Sequence, residues 1–304
     1  MKESARIVGV SGGLYRVTDA SGETKQCRAR GVFRHKNQRP LVGDRVLLTT
    51  EQTGRDGVST VIGEILERKN ALIRPPMANL DYIFVTAAVT SPEPDTLMLD
   101  KLTAIAEFNR IRPAVVLSKC ELDGGAAARL GEIYRLAGYD VFAVSCYTGE
   151  GIDALASYIA ALPPDSISAF AGASGVGKSS LMNRLFPGLG LETSEISQHT
   201  QRGRHTTRGV TLYQVGTGYI ADTPGFSMLD FEHFDFFTKD DLPDTFPEFA
   251  DYLGECRYTK CTHTREDGCA ILAALRAGKI APSRHASYLE LYRVLKDKHP
   301  WDGK

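Results

Sequence analysis

A glycine-rich segment, residues 172–180, contains the residue types that bind phosphate groups. Its pattern is Gly-x-x-x-x-Gly-Lys-Ser, in which the glycines allow a tight turn whose successive backbone N–H groups converge on one anion. Lys178 is expected to reach the β- and γ-phosphates of a nucleotide, and the Ser179 hydroxyl is expected to bind Mg²⁺. The predicted nucleotide contacts in this segment are Gly172, Ala173, Ser174, Gly175, Val176, Gly177, Lys178, Ser179 and Ser180.

The flanking sequence favours a phosphate-binding loop over the alternative, a glycine-rich surface turn. An apolar run at 167–171 predicts a buried strand before the loop. After the loop, Leu181 and Leu185 are four residues apart on one face of a predicted helix, which Pro187 ends. A strand, this loop and a helix in that order are the context that a P-loop requires.

Two further polar loops follow predicted strands at 113–117 and 140–144. In the first, the stem of Lys119 can lie along a purine face, and the Glu121 carboxylate can accept two N–H donors from guanine. Adenine offers no such pair of donors on that edge. Functional loops of doubly wound sheets lie at the carboxyl ends of strands. The predicted base contacts are Ser118, Lys119, Cys120, Glu121, Ser145 and Cys146.

A polar, basic stretch at 192–209 has little periodicity and is interpreted as a switch loop that orders around the γ-phosphate. Further on, Asp222 ends a predicted hairpin strand and Gly225 follows three residues later. This spacing fits a carboxylate that contacts Mg²⁺ and a backbone amide that senses the γ-phosphate. The predicted magnesium ligands are Ser179, Thr207 and Asp222.

The residue that positions the attacking water is not supplied by the usual glutamine, because Phe226 follows Gly225. Our hypothesis is that His205, beside the switch threonines, orients this water; the alternative is a histidine that pairs with RNA or has no role. The predicted catalytic residues are Lys178, His205, Thr206, Thr207 and Gly225.

Three of the six cysteines lie close together near a histidine: Cys256, Cys261 and Cys269, with His263. Three thiolates and one imidazole match a closed tetrahedral Zn²⁺ site with no open position, which predicts one structural zinc ion per chain. The alternative is chance crowding of reduced thiols.

These residues require three kinds of supporting structure. Residues 1–70 contain short strands separated by turns, which predict a small β-barrel. Residues 71–235 begin with a linker that two prolines hold extended, then alternate strands and helices, which predicts a doubly wound α/β domain with a mostly parallel sheet. Residues 236–304 hold the cysteine cluster and two predicted helices, and so predict a helical zinc-binding domain.

Composition and charge indicate the setting and the partners. The chain has no apolar run near the roughly 20 residues that span a bilayer and no apolar signal core after Met1, so a cytoplasmic protein is expected.

The net charge is −1, but Lys and Arg exceed Asp and Glu by ten to four in residues 1–45 and by ten to six in 252–304. Two basic ends favour contact with a phosphate backbone. A basic cluster around Phe33 favours an RNA-contacting barrel over one that only packs against its neighbour: Arg28, Arg30, Arg34, His35, Lys36 and Arg39.

The nucleotide motifs occur in permuted order, because both base loops precede the P-loop, whereas most GTPases begin with the P-loop. The permuted order, the barrel and the cysteine-rich tail together resemble the RsgA/YjeQ family of bacterial small-ribosomal-subunit biogenesis GTPases. The resemblance implies an OB-fold barrel that contacts 16S rRNA, and a circularly permuted GTPase domain that binds GTP and GDP. It also implies binding to the immature 30S subunit late in assembly, which stimulates hydrolysis of GTP to GDP and phosphate. A monomer is the expected state.

The chain departs from the family pattern in the first base loop. Ser118 and Glu121 stand where the family has asparagine and aspartate, so an amide is lost and the carboxylate arm is one methylene longer. Arg208 replaces a third threonine. Two other functions therefore stay open: a P-loop ATPase, which competition between GTP and ATP would reveal, and a non-enzymatic RNA-binding module with a vestigial nucleotide site. The intact Lys178, Ser179 and Asp222 argue against the second.

Overall fold

A computed structural model of the protein describes residues 3–35, 38–53, 57–73, 75–190, 209–223 and 238–296. The chain forms two compact units, each built from several segments. The first unit comprises the described residues of 1–82, 162–170 and 197–226, and the second those of 83–161, 171–196 and 227–304.

The N-terminal strands of the first unit form the predicted barrel. The strand order is β1-β2-β3-β5-β4, with β4 pairing back onto β1. All neighbours are antiparallel except β3 and β5, which are parallel. This closed order is that of a five-stranded OB-fold. The elements are β1 (Glu3–Ser11), β2 (Leu14–Asp19), β3 (Thr24–Ala29), the short helix α1 (Val32–His35), β4 (Arg45–Thr53) and β5 (Gly57–Ile65).

The linker after the barrel folds back on itself and is not simply extended. Strands β6 (Ala71–Leu72) and β7 (Met77–Ala78) pair antiparallel across the prolines. The Asn70 side chain closes this ribbon, because its Oδ1 accepts from the N–H of Leu80 at 3.0 Å and its Nδ2 donates to the Leu80 carbonyl at 2.8 Å. The sequence predicts that the two prolines hold this linker extended. Instead the linker turns back, and the hydrogen bonds of the Asn70 side chain stabilise the turn.

Residues 82–185 alternate strands and helices, as predicted. In the second unit β8, β9 and β10 are neighbours in that order, and β9 and β10 run parallel with Ser118 opposite Val144. Helix α2 begins at the side-chain cap of Asp95, and α3 begins at that of Asp123. The elements are β8 (Tyr82–Ala88), α2 (Thr96–Phe108), β9 (Arg112–Ser118), α3 (Gly124–Leu136), β10 (Asp140–Val144), α4 (Ile152–Ala160), β11 (Ile167–Ala171) and α5 (Lys178–Leu185).

A hairpin in the first unit extends the barrel sheet. Its strands are β12 (Thr211–Val215) and β13 (Gly218–Asp222), which confirm the predicted hairpin. Strand β12 pairs with β1 at Gly9 and Thr211, and β13 runs parallel to β11. The strand that precedes the P-loop and the strand that ends at Asp222 are therefore neighbours.

The C-terminal part consists of short helices around an aromatic core. Two 3₁₀ turns, Leu242–Thr245 and Pro247–Tyr252, precede α6 (Ala270–Arg276) and α7 (Pro282–Lys296). Phe246, Phe249 and Tyr288 are almost fully buried against one another. None of the helices described here is long and apolar enough to cross a bilayer.

A fully buried arginine joins α7 to α2. Arg284 makes two hydrogen bonds to the Glu248 carboxylate, at 2.7 and 3.1 Å, and one to Asp100 Oδ1 at 2.7 Å. Its guanidinium lies 4.6 Å from the ring centre of Phe246, and the Tyr134 hydroxyl donates to the same Asp100 oxygen at 2.9 Å. All three charged side chains are at most 2 % exposed, so the ion cluster is part of the core.

Candidate nucleotide site and metal centre

The loop at 172–177 has the backbone geometry that only glycine adopts without strain. Gly172 has a φ of 142°, and a Cβ placed there would lie 2.0 Å from the carbonyl oxygen of Thr86 on β8. Gly177, with a φ of 90°, directly precedes α5. Ser174 and Gly175 are exposed, so the middle of the loop is open to a ligand. The predicted phosphate contacts therefore lie on one turn at the N-terminus of a helix.

Lys178 points back over this turn. Its Nζ donates to the carbonyl oxygens of Gly172 at 2.8 Å and Ala173 at 2.7 Å. Burial lowers the pKa of Lys178 to about 8. A phosphate group near this ammonium would favour its charged form. Ser179 is half-buried at the start of α5, and Ser180 is exposed.

The first base loop is tied to the phosphate loop by side chains. Ser118 Oγ lies 2.6 Å from the carbonyl oxygen of Val176, to which it donates its proton. Lys119 Nζ donates to the carbonyl oxygen of Gly175 at 3.0 Å. Ser118 thus braces the loop although it lacks an amide. Glu121 is exposed, so its carboxylate is free to accept from a ligand.

The second base loop lies beside the first. The Cys120 N–H donates to the carbonyl oxygen of Val144 at 3.2 Å, at the ends of β9 and β10. Burial raises the pKa of the Cys120 thiol to about 11 and also raises the pKa of Cys146. Both thiols stay protonated near neutral pH, so they line the site as small apolar groups. Ser145 is fully buried and shapes its own loop.

The remaining predicted nucleotide residues are only partly described. Asp222 is half-buried at the end of β13, where burial raises the pKa of its carboxyl group. The predicted switch and catalytic residues His205, Thr206, Thr207 and Gly225 lie outside the described residues.

The four predicted metal ligands come together. His263 Nδ1 lies 3.6 Å from the Sγ of Cys256 and 3.5 Å from that of Cys269, and these two sulfurs are 3.9 Å apart. With Cys261, all four donor atoms lie within 4.8 Å of one another. Burial raises the pKa of the Cys261 thiol to about 12, so a nearby cation is needed to keep it ionised. The cluster could hold a metal ion.

Three residues that sequence reasoning missed hold the metal loop in place. The Glu266 carboxylate accepts from the backbone N–H groups of Thr262 at 2.8 Å and Thr264 at 3.0 Å. His285 Nε2 lies 2.9 Å from the carbonyl oxygen of His263, and the Tyr288 hydroxyl donates to that of Thr262 at 2.9 Å. Glu266 could have been predicted, because it is an acidic residue inside the cysteine-rich segment. His285 and Tyr288 lie too far along the chain for their spacing to indicate contact with this segment.

The predicted RNA-binding cluster is only partly supported. Phe33 is 6 % exposed and belongs to the barrel core, so it is not available to stack on a base. Nearby, a groove of about 680 Å³ has basic walls at Arg28, Arg30 and Arg39. The side chains of Arg34, His35 and Lys36 lie outside the described residues.

A P-loop is hydrogen-bonded to the first of two base-side loops, and both of these loops precede it in the chain. Together with a barrel before it and a Cys₃His cluster after it, this order defines a circularly permuted P-loop GTPase. Sequence comparison gives the family. The RsgA GTPase model matches residues 65–232, and the RsgA N-terminal domain model matches residues 5–58. The chain belongs to the RsgA GTPase family and is a GTP-hydrolysing enzyme of that family.

Curated relatives and solved structures match this chain over almost its whole length. "Small ribosomal subunit biogenesis GTPase RsgA" of Geobacillus thermodenitrificans is 42% identical over 99% of both chains, and that of Bacillus cereus is 38% identical over 97% of this chain and 98% of the relative. The crystal structure of YjeQ from Thermotoga maritima has a TM-score of 0.83 at 34% identity and covers 98% of this chain and 100% of its own. The structure of YloQ, described as a circularly permuted GTPase, has a TM-score of 0.77 at 33% identity, with 99% and 97% covered.

Proposed function

We propose that this protein binds the small ribosomal subunit late in its maturation and hydrolyses GTP to GDP and phosphate when the subunit is bound. The names of its relatives, at about 40% identity, support the ribosomal part of the proposal. The observation that carries the GTP part is the set of hydrogen bonds from Ser118 and Lys119 to the phosphate loop, because it joins base reading to phosphate binding.

In the proposed complex the phosphates lie on the backbone of residues 172–180, with Lys178 turned from its loop carbonyls onto the β- and γ-phosphates. The base edge meets Glu121, and the base lies beside Ser118, Lys119 and Cys120 and next to Ser145 and Cys146. Within this arrangement Glu121, Ser174 and Gly175 are exposed.

Magnesium is the expected cofactor of the nucleotide. The proposed ligands are the Ser179 and Thr207 hydroxyls and the Asp222 carboxylate, and such oxygen donors suit this ion. When bound, Mg²⁺ neutralises charge on the β- and γ-phosphates. Burial of Asp222 raises its pKa, and a cation beside the carboxylate would offset this effect.

For the hydrolysis step we propose that His205 orients the attacking water, with Thr206 beside it and the Gly225 amide on the γ-phosphate. The test is single-turnover hydrolysis by His205→Ala in the presence of 30S subunits. A loss of about 10²-fold or more is expected of a group that positions the nucleophile. A rate within about threefold of wild type would exclude this role.

The Cys₃His cluster is proposed to hold one structural zinc ion. Zinc bonds of about 2.3 Å to sulfur and about 2.1 Å to nitrogen place tetrahedral ligand atoms about 3.6–3.8 Å apart. The separations of 3.5–3.9 Å among Cys256, His263 and Cys269 agree with this spacing. Four protein ligands leave no open position for catalysis.

The rRNA contact is proposed for the basic groove of the barrel. Arg28 and Arg39 line this groove, and guanidinium groups bind phosphate backbone strongly. Because the proposed function is in ribosome assembly, we propose that the protein acts in the cytoplasm, as a monomer.

Nucleotide competition tests the proposed activity. GTP and GDP are expected to bind the full-length, zinc-loaded protein, and ATP in excess is expected not to displace them. Lys178→Ala removes the ammonium and is expected to abolish binding or turnover. Equal competition by ATP would indicate a P-loop ATPase, and wild-type turnover of Lys178→Ala would contradict the assignment of the phosphate loop.

A further inference from the structure

Tyr147 stands at the tip of the loop between β10 and α4 and is almost entirely in water. Its side chain is 90 % exposed, well above the next large apolar side chain among the described residues, Ile73 at 65 %. Within the described part of the chain it has no hydrogen bond, ring contact or cation contact. A large ring held in water without a partner is a strong candidate for a ligand contact.

The loop that carries Tyr147 is closed by its own hydrogen bonds. Ser145 Oγ accepts from the N–H of Thr148 at 3.0 Å, and the Ser145 carbonyl accepts from Gly149 at 3.0 Å. The Ser145 N–H donates to the carbonyl of Glu150 at 2.9 Å. These bonds fix the backbone on both sides of Tyr147, so little conformational entropy would be lost when its ring contacts a ligand.

Two other parts of the proposed nucleotide site lie next to this loop. At its start, the Cys120 N–H contacts the Val144 carbonyl, which joins it to the first base loop. At its end, a Cβ on Gly149 would lie 3.5 Å from an Nη atom of Arg184 on α5, the helix that follows the phosphate loop. If a nucleotide binds with its phosphates on the phosphate loop and its base edge at Glu121, its base lies next to the loop that carries Tyr147.

We propose that Tyr147 stacks on the face of the guanine base and supplies part of the binding free energy. This inference rests on the proposed nucleotide site. The contact uses the π-face of the purine, whereas Glu121 reads its edge, so stacking adds affinity without selecting guanine. An rRNA base is the alternative partner of Tyr147. The hydrogen bond between this loop and the first base loop, and the closeness of Gly149 to the Arg184 side chain on α5, favour the nucleotide.

Calorimetric titration of the full-length, zinc-loaded protein with GDP, without ribosomal subunits, tests the proposal. Tyr147→Ala is expected to raise the Kd for GDP about tenfold, within the range typical of base stacking, and Tyr147→Phe to stay within about twofold of wild type. Tyr147→Ala is expected to raise the Kd for inosine diphosphate by the same factor. This ligand lacks the exocyclic amine of guanine but keeps the purine face on which Tyr147 would stack. Leu136→Ala, which removes another exposed apolar side chain, on α3, is expected to leave the Kd for GDP unchanged.

The outcomes separate this inference from the function on which it rests. GDP binding by Tyr147→Ala within about twofold of wild type would overturn the stacking role alone. If Tyr147→Ala binds GDP normally but binds small subunits more weakly, Tyr147 contacts the ribosome and not the nucleotide. Wild-type protein that does not bind GDP would overturn both the nucleotide site and the stacking role.

Discussion

Removal of the buried arginine on α7 is expected to destabilise the second unit strongly. In Arg284→Met the side chain keeps similar bulk, but Glu248 and Asp100 lose their cation while at most 2 % exposed. Asp100 Oδ2 is already buried without a hydrogen-bond partner among the described residues, so this carboxylate has little to compensate the loss. Removing one partner from a buried ion pair costs about 3–5 kcal/mol.

A loss of this size corresponds to a fall in Tm of roughly 6–20 °C for a unit of about 180 residues, at about 2–4 °C per kcal/mol. The measurement is urea unfolding of zinc-loaded protein followed by circular dichroism, with thermal melting beside it. Arg293→Met on the same helix is the matched control. Its ion pair with Glu290 is largely exposed, so its loss is expected to cost less than about 1 kcal/mol.

A triple variant separates the charge from the packing. Neutral Asp100→Asn and Glu248→Gln combined with Arg284→Met leave no unpaired charge, and they are expected to recover at least half of the lost stability. A free energy of unfolding for Arg284→Met within about 1 kcal/mol of wild type would show that the buried ion cluster contributes little to stability. A triple variant no more stable than the single one would show that the arginine acts by shape and not by charge.

The nucleotide site and metal centre give three further expectations. Gly172→Ala puts a Cβ against the Thr86 carbonyl and is expected to lower Tm and abolish GDP binding. Gly188→Ala, whose Cβ would lie in open space, is expected to change neither. Equal Tm and equal GDP affinity in the two variants would contradict the close approach at Gly172. Because burial lowers the pKa of Lys178 to about 8, nucleotide binding that restores the ammonium is expected to take up protons mainly above about pH 8. Affinity is therefore expected to fall as the pH rises above about 8, and calorimetric heats independent of buffer ionisation in that range would argue against this. Cys261→Ser is expected to reduce the bound zinc measured by elemental analysis and to lower Tm, and full zinc content in that variant would exclude Cys261 as a ligand.

Much of the fold follows from local pattern. The apolar run from Tyr82 predicts a strand buried on both faces, and β8 has that burial. The glycines of residues 172–177 predict a phosphate-binding turn, and the positive φ of Gly172 and Gly177 agrees. The Cys₃His spacing predicts a cluster, and its donor atoms meet. In each case the residues that determine the structure are near neighbours in sequence.

What escaped prediction depends on contacts between distant residues. Glu248 lies among several acidic residues in the sequence, and acidic side chains are mostly exposed, but Arg284, 36 residues later, pairs with it in the core. Phe33 stands among basic residues and looks like an RNA contact, whereas the barrel buries it. Spacing along the chain does not report such burial, because a charged or aromatic side chain has the same sequence context inside and outside a core.

Phosphate release from full-length protein, with and without purified 30S subunits, tests the proposal that small-subunit binding controls GTP hydrolysis at the Lys178 loop. We expect subunits to accelerate GTP hydrolysis by wild type about tenfold or more, and we expect no such response with ATP or with Lys178→Ala. A GTP turnover rate unchanged by subunits, or equal acceleration with ATP, would contradict it.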